Sequence, residues 1–459
     1  MPGYNEATNG FQGCITPLEV LVRNVIKTVL VALAVLVLCS PLIFWPATRG
    51  DTTPTELAQA TVTVPPSAVV ATTPPPGQTT TTTSLPEEPT STTTTTTTEP
   101  PIDITIAAVG DILPHDSILD SVKQSNGWYD FWPVFAPIAP YLRSADYAIG
   151  NLETRFAGAD VGYSGYPKMN SPNQLAGVLR TAGFDLLGTA NNHSMDQGWN
   201  GIVKTLDELD TSGIKHVGTY RSAAERAVPL VVNIQGIDVG FLNYTESLNG
   251  LTVPSDRQDY AVNMLNVDQV AKDAALARAY GADIVIAMLH YGIEDRRYES
   301  DEQQQVSQEI LSRGVDVIVG AHSHMVQPIN HVLSQSWRLT DTYVAADKYV
   351  AYSLGNFLSA QRAPYNDSGV IAYIHITKQN LRTKVTGISY LPVYVQLSTG
   401  QTPIRYRILP VLPGSQPSTD TVITPADEQR MSAVWEEQRL LLYNPDEDIT
   451  PLNPSDLGL

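Results

Sequence analysis

The chain has 459 residues, a formal net charge of -19, 42% hydrophobic residues and 8 His. That apolar fraction can build a large core in roughly 350 of the residues and excludes wholesale disorder, while the excess of acid excludes a nucleic-acid binder, whose affinity needs clustered Lys and Arg. The two cysteines, Cys14 and Cys39, both lie near the N-terminus, which excludes a Cys-ligated zinc or a thiolate nucleophile further on and leaves metal chemistry to His, Asp, Glu and Asn.

Residues 1–27 read as a cytoplasmic N-terminal segment, and residues 28–45 (TVLVALAVLVLCSPLIFW) as a transmembrane anchor. The run is uncharged and, at about 1.5 Å per residue, long enough to cross a hydrocarbon core. Arg23 and Lys27 precede it, which predicts a single-pass protein of the cell membrane with an extracellular C-terminal domain. A cleaved signal peptide is the competing reading, but the run is long for one and no small-x-small site closes it. Leu38 stands before Cys39, where a lipoprotein site would carry a small residue. Residues 46–101 are rich in Thr and Pro, with an unbroken run from Thr92 to Thr98. Such a composition predicts a disordered, extended stalk, with or without O-linked sugar.

From residue 102 onward, short apolar runs alternate with stretches at helical spacing. The runs predict strands at 102–109, 147–151, 185–189, 239–244, 284–290, 315–320 and 349–353, with helices at 173–182, 202–211, 267–280 and 302–313. Alternation of this kind is an α/β pattern with a buried sheet, whose ligands gather at the carboxyl ends of the strands. Residues 102–380 read as one domain. Residues 381–459, with two strand-like segments and a polar helix near 426–442, read as a peripheral extension packed on it.

Five predicted strands end in groups that can ligate a metal. The first ends in Gly110-Asp111 and the second in Gly150-Asn151-Leu152-Glu153; either alone is most simply a turn. The third runs into Ala190-Asn191-Asn192-His193-Ser194-Met195-Asp196, where Asp196 suits a helix N-cap but Asn192 and His193 have no such use. The fourth ends in His290-Tyr291, and a lone His there is more often a satisfied core residue. The fifth ends in Ala321-His322-Ser323-His324, a spacing that projects two imidazoles from one short loop.

Together, Asp111, Glu153, Asn192, His290, His322 and His324 form a mixed carboxylate, amide and imidazole set. Such ligands suit one or two divalent ions, Mn, Fe or Zn rather than Ca or Mg. Two ions about 3.5–4 Å apart can polarise a phosphoryl oxygen and activate water without a protein nucleophile. His193 and Asn192 are then the candidate catalytic groups, His193 as general acid or transition-state donor. Asn151, Asn191, Tyr291 and Asn356 are candidate substrate contacts.

The segments GDILPHDSI, GNLET, AGFDLLGTANNHSMDQGWNGIVKTLDELDTSGIKHVG, MLHYGIED, GVDVIVGAHSHMVQPI and YSLGNFLS resemble the CapA family of poly-γ-glutamate capsule biosynthesis proteins, in consistent order from about residue 104 to 357. The resemblance implies a metallophosphoesterase-like β-sandwich flanked by helices, α/β/β/α, with Asp111, Asn192, His193, His290, His322 and His324 at the calcineurin-like motif positions. Two departures bear on the metals. Those enzymes open with Asp-x-His, whereas this chain has Asp111-Ile112-Leu113, with His115 two residues further on. They also carry a bridging Asp where this chain has Asn151, with Glu153 nearby as a substitute. Two functions follow from the resemblance. One is a metal-dependent hydrolase acting on a phosphoester or an amide of a capsule or wall polymer. The other is a non-catalytic subunit of a membrane complex for polymer synthesis or export, in contact with its other subunits.

Overall fold

A computed structural model describes residues 100–336, 344–398, 406–412, 422–444 and 448–453. The expected cytoplasmic segment, the anchor and the stalk up to residue 99 lie outside them. Among the described residues no helix is long and apolar enough to cross a membrane.

The first half of the domain contains β1 (Ile102–Ile112), α1 (Asp116–Val122), α2 (Trp132–Phe135), α3 (Ala139–Arg143), β2 (Tyr147–Leu152), α4 (Gln174–Ala182), β3 (Leu186–Gly188), α5 (Gly198–Ser212), β4 (Lys215–Val217), α6 (Ala223–Arg226), β5 (Leu230–Ile234) and β6 (Ile237–Thr245). The second contains α7 (Val267–Ala279), β7 (Ile284–His290), α8 (Asp301–Ser312), β8 (Val317–Ala321), β9 (Ile329–Ser336), β10 (Val344–Ala351), β11 (Asn356–Leu358), β12 (Ser368–Gln379), β13 (Arg382–Leu397), β14 (Tyr406–Pro410), α9 (Pro425–Leu442) and β15 (Ile449–Pro451).

Among the described residues the strands form two sheets. The first runs β14-β13-β12-β1-β2-β3-β4, with β11 on β1 and β15 on β13; the second runs β5-β6-β7-β8-β10-β9. β1, β2, β3 and β4 are mutually parallel, as are β6, β7, β8 and β10. Apolar side chains of both sheets, among them Ile106, Ile149, Phe241, Ile286, Val317 and Ile374, share one buried cluster. A second cluster joins the other face of the first sheet to α1, α2, α3 and α4 through Ile118, Val134, Leu142 and Leu179. A third joins the second sheet to α7 and α8 through Ala274, Ala277 and Ile310. The layers are therefore helix, sheet, sheet, helix, in line with the α/β/β/α expectation, and strands buried on both faces read as continuous apolar runs.

Local chemistry sets the helix limits. Ser300 and Gln303 form a reciprocal capping box at the start of α8, and Asn266 caps α7 through Gln269 N. Gly213 ends α5 in the left-handed conformation.

The segment after residue 381, expected to be peripheral, instead lies inside the first sheet. β12 pairs with β1 on one side and β13 on the other, and β13 in turn pairs with β14 and β15. A tight reversal at Asn380 and Leu381 makes β12 and β13 a hairpin, with Gln379 opposite Arg382. Among the described residues of this segment, α9 packs on the outside, through Val434 against Tyr394 and Leu409.

Candidate metal centre

The carboxyl ends of β1, β2, β3, β7 and β8 meet at one edge of the two sheets, because the strands within each set run parallel. The backbone there is packed too closely for side chains at two positions. A Cβ on Gly110 would stand 2.0 Å from Gly355 O, and one on Gly320 1.9 Å from Tyr352 O. Asp111 N donates to Gly355 O at 2.9 Å, fixing the residue after the first of these glycines. Beyond β8 the chain turns sharply, with His322 at φ 98° and His324 at φ 57°. Left-handed backbone at two histidines costs of order 1–3 kcal/mol each and persists only where surrounding structure enforces it.

Asp111 is fully buried. Its Oδ1 accepts from Asn151 Nδ2 at 2.8 Å, and its Oδ2 accepts from His324 Nδ1 at 3.0 Å and His322 N at 3.3 Å. Burial would raise its pKa, but the His324 hydrogen bond and the charges of His324 and His290 outweigh it and hold the carboxyl well below its usual range. Burial would lower the His324 pKa, yet its hydrogen bond to Asp111 and the charges of Glu153 and Asp111 raise it to about 9. His290 and His322 are lowered to about 3, first by burial and then, for His322, by the neighbouring imidazoles. Their ring centroids are 4.6 Å apart.

Glu153 stands apart from the other carboxylates. It is fully buried, and among the described residues no group donates a hydrogen bond to either carboxylate oxygen; His322 Nδ1 is likewise buried without a partner among them. Burial and then the Asp111 charge push the Glu153 pKa well above its ordinary value. Glu153, His290 and His322 offer ligand atoms that all lie within 4.8 Å of one another, and so do Asp111, Glu153 and His324. Glu153 belongs to both groups. Orphaned buried lone pairs cost free energy unless something supplies a donor or a cation, and this donor set of two carboxylates and three imidazoles fits divalent ions of the Mn, Fe and Zn type. Asn192 sits beside them, its Oδ1 3.0 Å from His290 Nε2.

His193 Nδ1 lies 2.6 Å from Asp196 Oδ2, which also accepts from Met169 N at 2.7 Å. That contact leaves Nε2 as the free ring nitrogen. Asp196 was expected to cap the following helix. The cap of α5 is instead Gln197, because the His193 ring and the Met169 amide already occupy the Asp196 carboxylate.

The other residues picked from the sequence are placed differently. Asn151 ties Asp111 to His290 Nδ1, 3.2 Å away, from inside the cluster. Asn191 spends its amide on Asn151 Oδ1 and Leu152 O, and its Oδ1 accepts from Arg155. Tyr291 turns to the opposite face, where its hydroxyl meets Ser307 Oγ at 2.8 Å among the residues that pack α7 and α8. Asn356 lies beside Asp111 in the pairing of β11 with β1; its Nδ2 donates to Gln361 Oε1 and Asn366 O, while Oδ1 is buried without a partner. His115 Nδ1 is 3.0 Å from Leu113 O and accepts from Ala360 N at 3.3 Å, outside both ligand groups.

Two supporting residues escaped the sequence reading. Asn243 accepts from Ala190 N at 2.7 Å and donates to Met288 O at 3.1 Å, clamping the loop after β3 to β7. Arg155 is fully buried and donates to Thr189 O and Leu152 O. The arginine of GNLETR was the available signal, since a charge inside a motif that ends a buried strand must find partners.

Comparison with known proteins gives a consistent relationship. Residues 105–361, more than half of the chain, match the family described as bacterial capsule synthesis protein PGA_cap. The chain is 26% identical over 280 residues to the capsule biosynthesis protein CapA of Bacillus anthracis, covering 59% of this chain and 63% of that protein. It is 27% identical over 291 residues to the PGA biosynthesis protein CapA of Bacillus subtilis (strain 168), covering 62% and 71%. Among solved structures, the calcineurin-like phosphoesterase YfkN from Bacillus subtilis is 14% identical with a TM-score of 0.38, over 74% of this chain and 100% of that chain.

Proposed function

Because the chain belongs to the bacterial capsule synthesis protein PGA_cap family, we propose that it is a metal-dependent hydrolase acting on a phosphoester or amide bond of a capsule or wall polymer of the poly-γ-glutamate type. On this reading residues 28–45 hold it in the cell membrane with the domain outside. The observation that carries the chemistry is Glu153, a buried carboxylate to which no described residue donates a hydrogen bond and which is common to both ligand groups.

Asp111, Glu153, Asn192, His290, His322 and His324 would hold one or two divalent ions. When bound, such ions supply Lewis-acid polarisation of the scissile group and a water of lowered pKa. The chain's own residues do the rest. Asn151 and the His322 backbone amide fix the Asp111 carboxylate from two sides. Asp196 holds the His193 ring by Nδ1, so that Nε2 can deliver a proton to a leaving group or donate to developing negative charge. Asn243 and Arg155 keep the loop that carries Asn192 and His193 in register with β2 and β7. The strong acidity of the chain supports contact with a polyanionic polymer through bound cations rather than through a broad groove. Other subunits of a polymer synthesis or export complex are the partners such an anchored domain would meet.

The test is hydrolysis of a phosphodiester and a phosphomonoester by the purified protein after stripping on a chelating resin and after return of Mn, Fe or Zn. Activity restored by one of these metals and abolished in His193→Gln supports the reading. Absence of metal-restored hydrolysis of either ester and of a γ-linked glutamate oligomer overturns it.

A further inference from the structure

Tyr166 is the most exposed aromatic residue among the described residues, at 70%. It nevertheless stands at the candidate metal centre. Its ring meets the His193 ring edge-on, with centroids 6.4 Å apart and planes at 77°. A tyrosine whose task was only to cover His193 would bury its own ring, because apolar surface left in water costs free energy roughly in proportion to its area. Tyr166 keeps one side on His193 and leaves the rest open.

The loop beneath Tyr166 is fastened on both sides of the centre. On the side of β1, Gly165 N donates to Asp116 Oδ1 at 2.6 Å. On the side of β3, Met169 N donates to Asp196 Oδ2 at 2.7 Å, the same oxygen that lies 2.6 Å from His193 Nδ1. Gln197 Nε2 adds contacts to Lys168 O and Met169 O, both at 3.3 Å. Within the loop, Ser164 and Asn170 exchange both backbone hydrogen bonds at 2.9 Å, and Ser164 Oγ donates to Lys168 O at 2.6 Å. Tyr166 is therefore an exposed ring on a braced strap, and one carboxylate, Asp196, fixes the strap and His193 together.

A tyrosine held in this way offers a large contact area for little further loss of side-chain freedom, which suits a binding platform. Its position decides what it meets. His193 is the group proposed to deliver a proton to the leaving group from Nε2, so a ring packed on His193 borders the leaving-group side of the scissile bond. The backbone of a γ-linked glutamate polymer presents a run of methylenes and a planar amide in each repeat, surfaces that an aromatic face accepts.

We propose that Tyr166 is the substrate-binding residue of a leaving-group subsite, its open face packing on the backbone of the polymer unit released by cleavage. The proposal rests on the hydrolase reading and deepens it. Calorimetric binding and steady-state cleavage of a γ-linked glutamate oligomer, both with the full-length protein in the presence of Mn, test it. Tyr166→Ala should weaken binding and raise KM roughly fivefold or more while kcat stays within about twofold. Tyr166→Phe and Tyr166→Trp, which keep a ring, should restore most of the loss. Tyr280, 58% exposed and placed just before β7 at the opposite edge of the sheet, is the control, and Tyr280→Ala should behave as wild type. Metal content and Tm should be unchanged throughout, because Tyr166 is an exposed side chain. Oligomer binding that depends on Tyr166, without cleavage of the oligomer or of either ester, would remove the hydrolase reading and keep the subsite. Cleavage with a wild-type KM in Tyr166→Ala would keep that reading and overturn the subsite. No oligomer binding by the wild type, a loss confined to kcat, or a Tyr166→Phe variant as weak as Tyr166→Ala also overturns it.

Discussion

Glu153 Oε1 lies 3.4 Å from His290 Nε2, yet among the described residues no group donates a hydrogen bond to either oxygen of that carboxylate. In the metal-free protein this arrangement is a burden, since a buried acid without donors costs about 1–3 kcal/mol or more. Glu153→Gln should therefore raise the Tm of the metal-stripped protein. The gain should grow with pH, because a carboxyl whose folded pKa is raised loses stability as pH climbs above its unfolded value of 4.5. Thermal melts of stripped wild type and variant at pH 5 and pH 8 check it; a variant less stable at pH 8 contradicts the description of Glu153.

His193 depends on Asp196 for its orientation. Asp196→Asn keeps the shape and removes the charge that holds Nδ1, so it should lower kcat about 10- to 100-fold while leaving metal content unchanged. Steady-state kinetics beside elemental analysis separate this from loss of the ligands.

The two tight glycines make a prediction about assembly of the centre. Gly110→Ala or Gly320→Ala forces a Cβ into a backbone carbonyl, which should cost about 3 kcal/mol or prevent folding. Gly177, whose Cβ would meet nothing within 4 Å, is the control, and Gly177→Ala in α4 should leave the Tm unchanged or raised. Equal Tm values for all three variants would refute the packing described.

At the far end of the chain, Asp427 joins α9 to β13. It accepts from Thr424 N at 2.9 Å, Thr424 Oγ1 at 2.7 Å and Gln396 Nε2 at 2.9 Å. Burial would raise its pKa, but these hydrogen bonds lower it below the ordinary 3.8. A depressed carboxyl contributes stability above its unfolded pKa and loses it as pH falls through the folded one. Asp427→Ala should cost about 2 kcal/mol at pH 7. The gap to wild type should close below pH 3.8, as denaturant melts at a series of pH values will show.

The sequence made the strand ends legible because Gly-Asp, Asn-Asn-His and His-x-His are polar groups placed directly after apolar runs. The structure brings Asp111, Glu153, His290, His322 and His324 together in two groups of candidate ligand atoms, with Asn192 beside His290, and β7 has the expected limits, 284–290. Neighbours of those residues were harder to place. Tyr291 follows His290 at the end of a strand, and successive side chains there point to opposite faces, so it packs against Ser307 rather than facing the centre. Asn191 and Asn192 look equivalent in a string of letters, but only the loop geometry decides that one braces Leu152 and the other faces His290. The C-terminal strands were misjudged for a different reason. Whether β13 lies inside a sheet depends on β12 reaching β1 from more than 250 residues away in sequence, a non-local pairing that periodicity does not encode. The left-handed backbone of His322 and His324 has no local signal at all.

Glu153 offers a ligand atom to both groups of candidate ligands, and the proposed metal centre stands on that shared carboxylate. Its most direct test is elemental analysis of the purified full-length protein and of Glu153→Gln. The expected result is one or two Mn, Fe or Zn ions per wild-type chain at saturation and fewer in the variant. Wild type without a transition metal, or a variant that keeps the full complement, would contradict it.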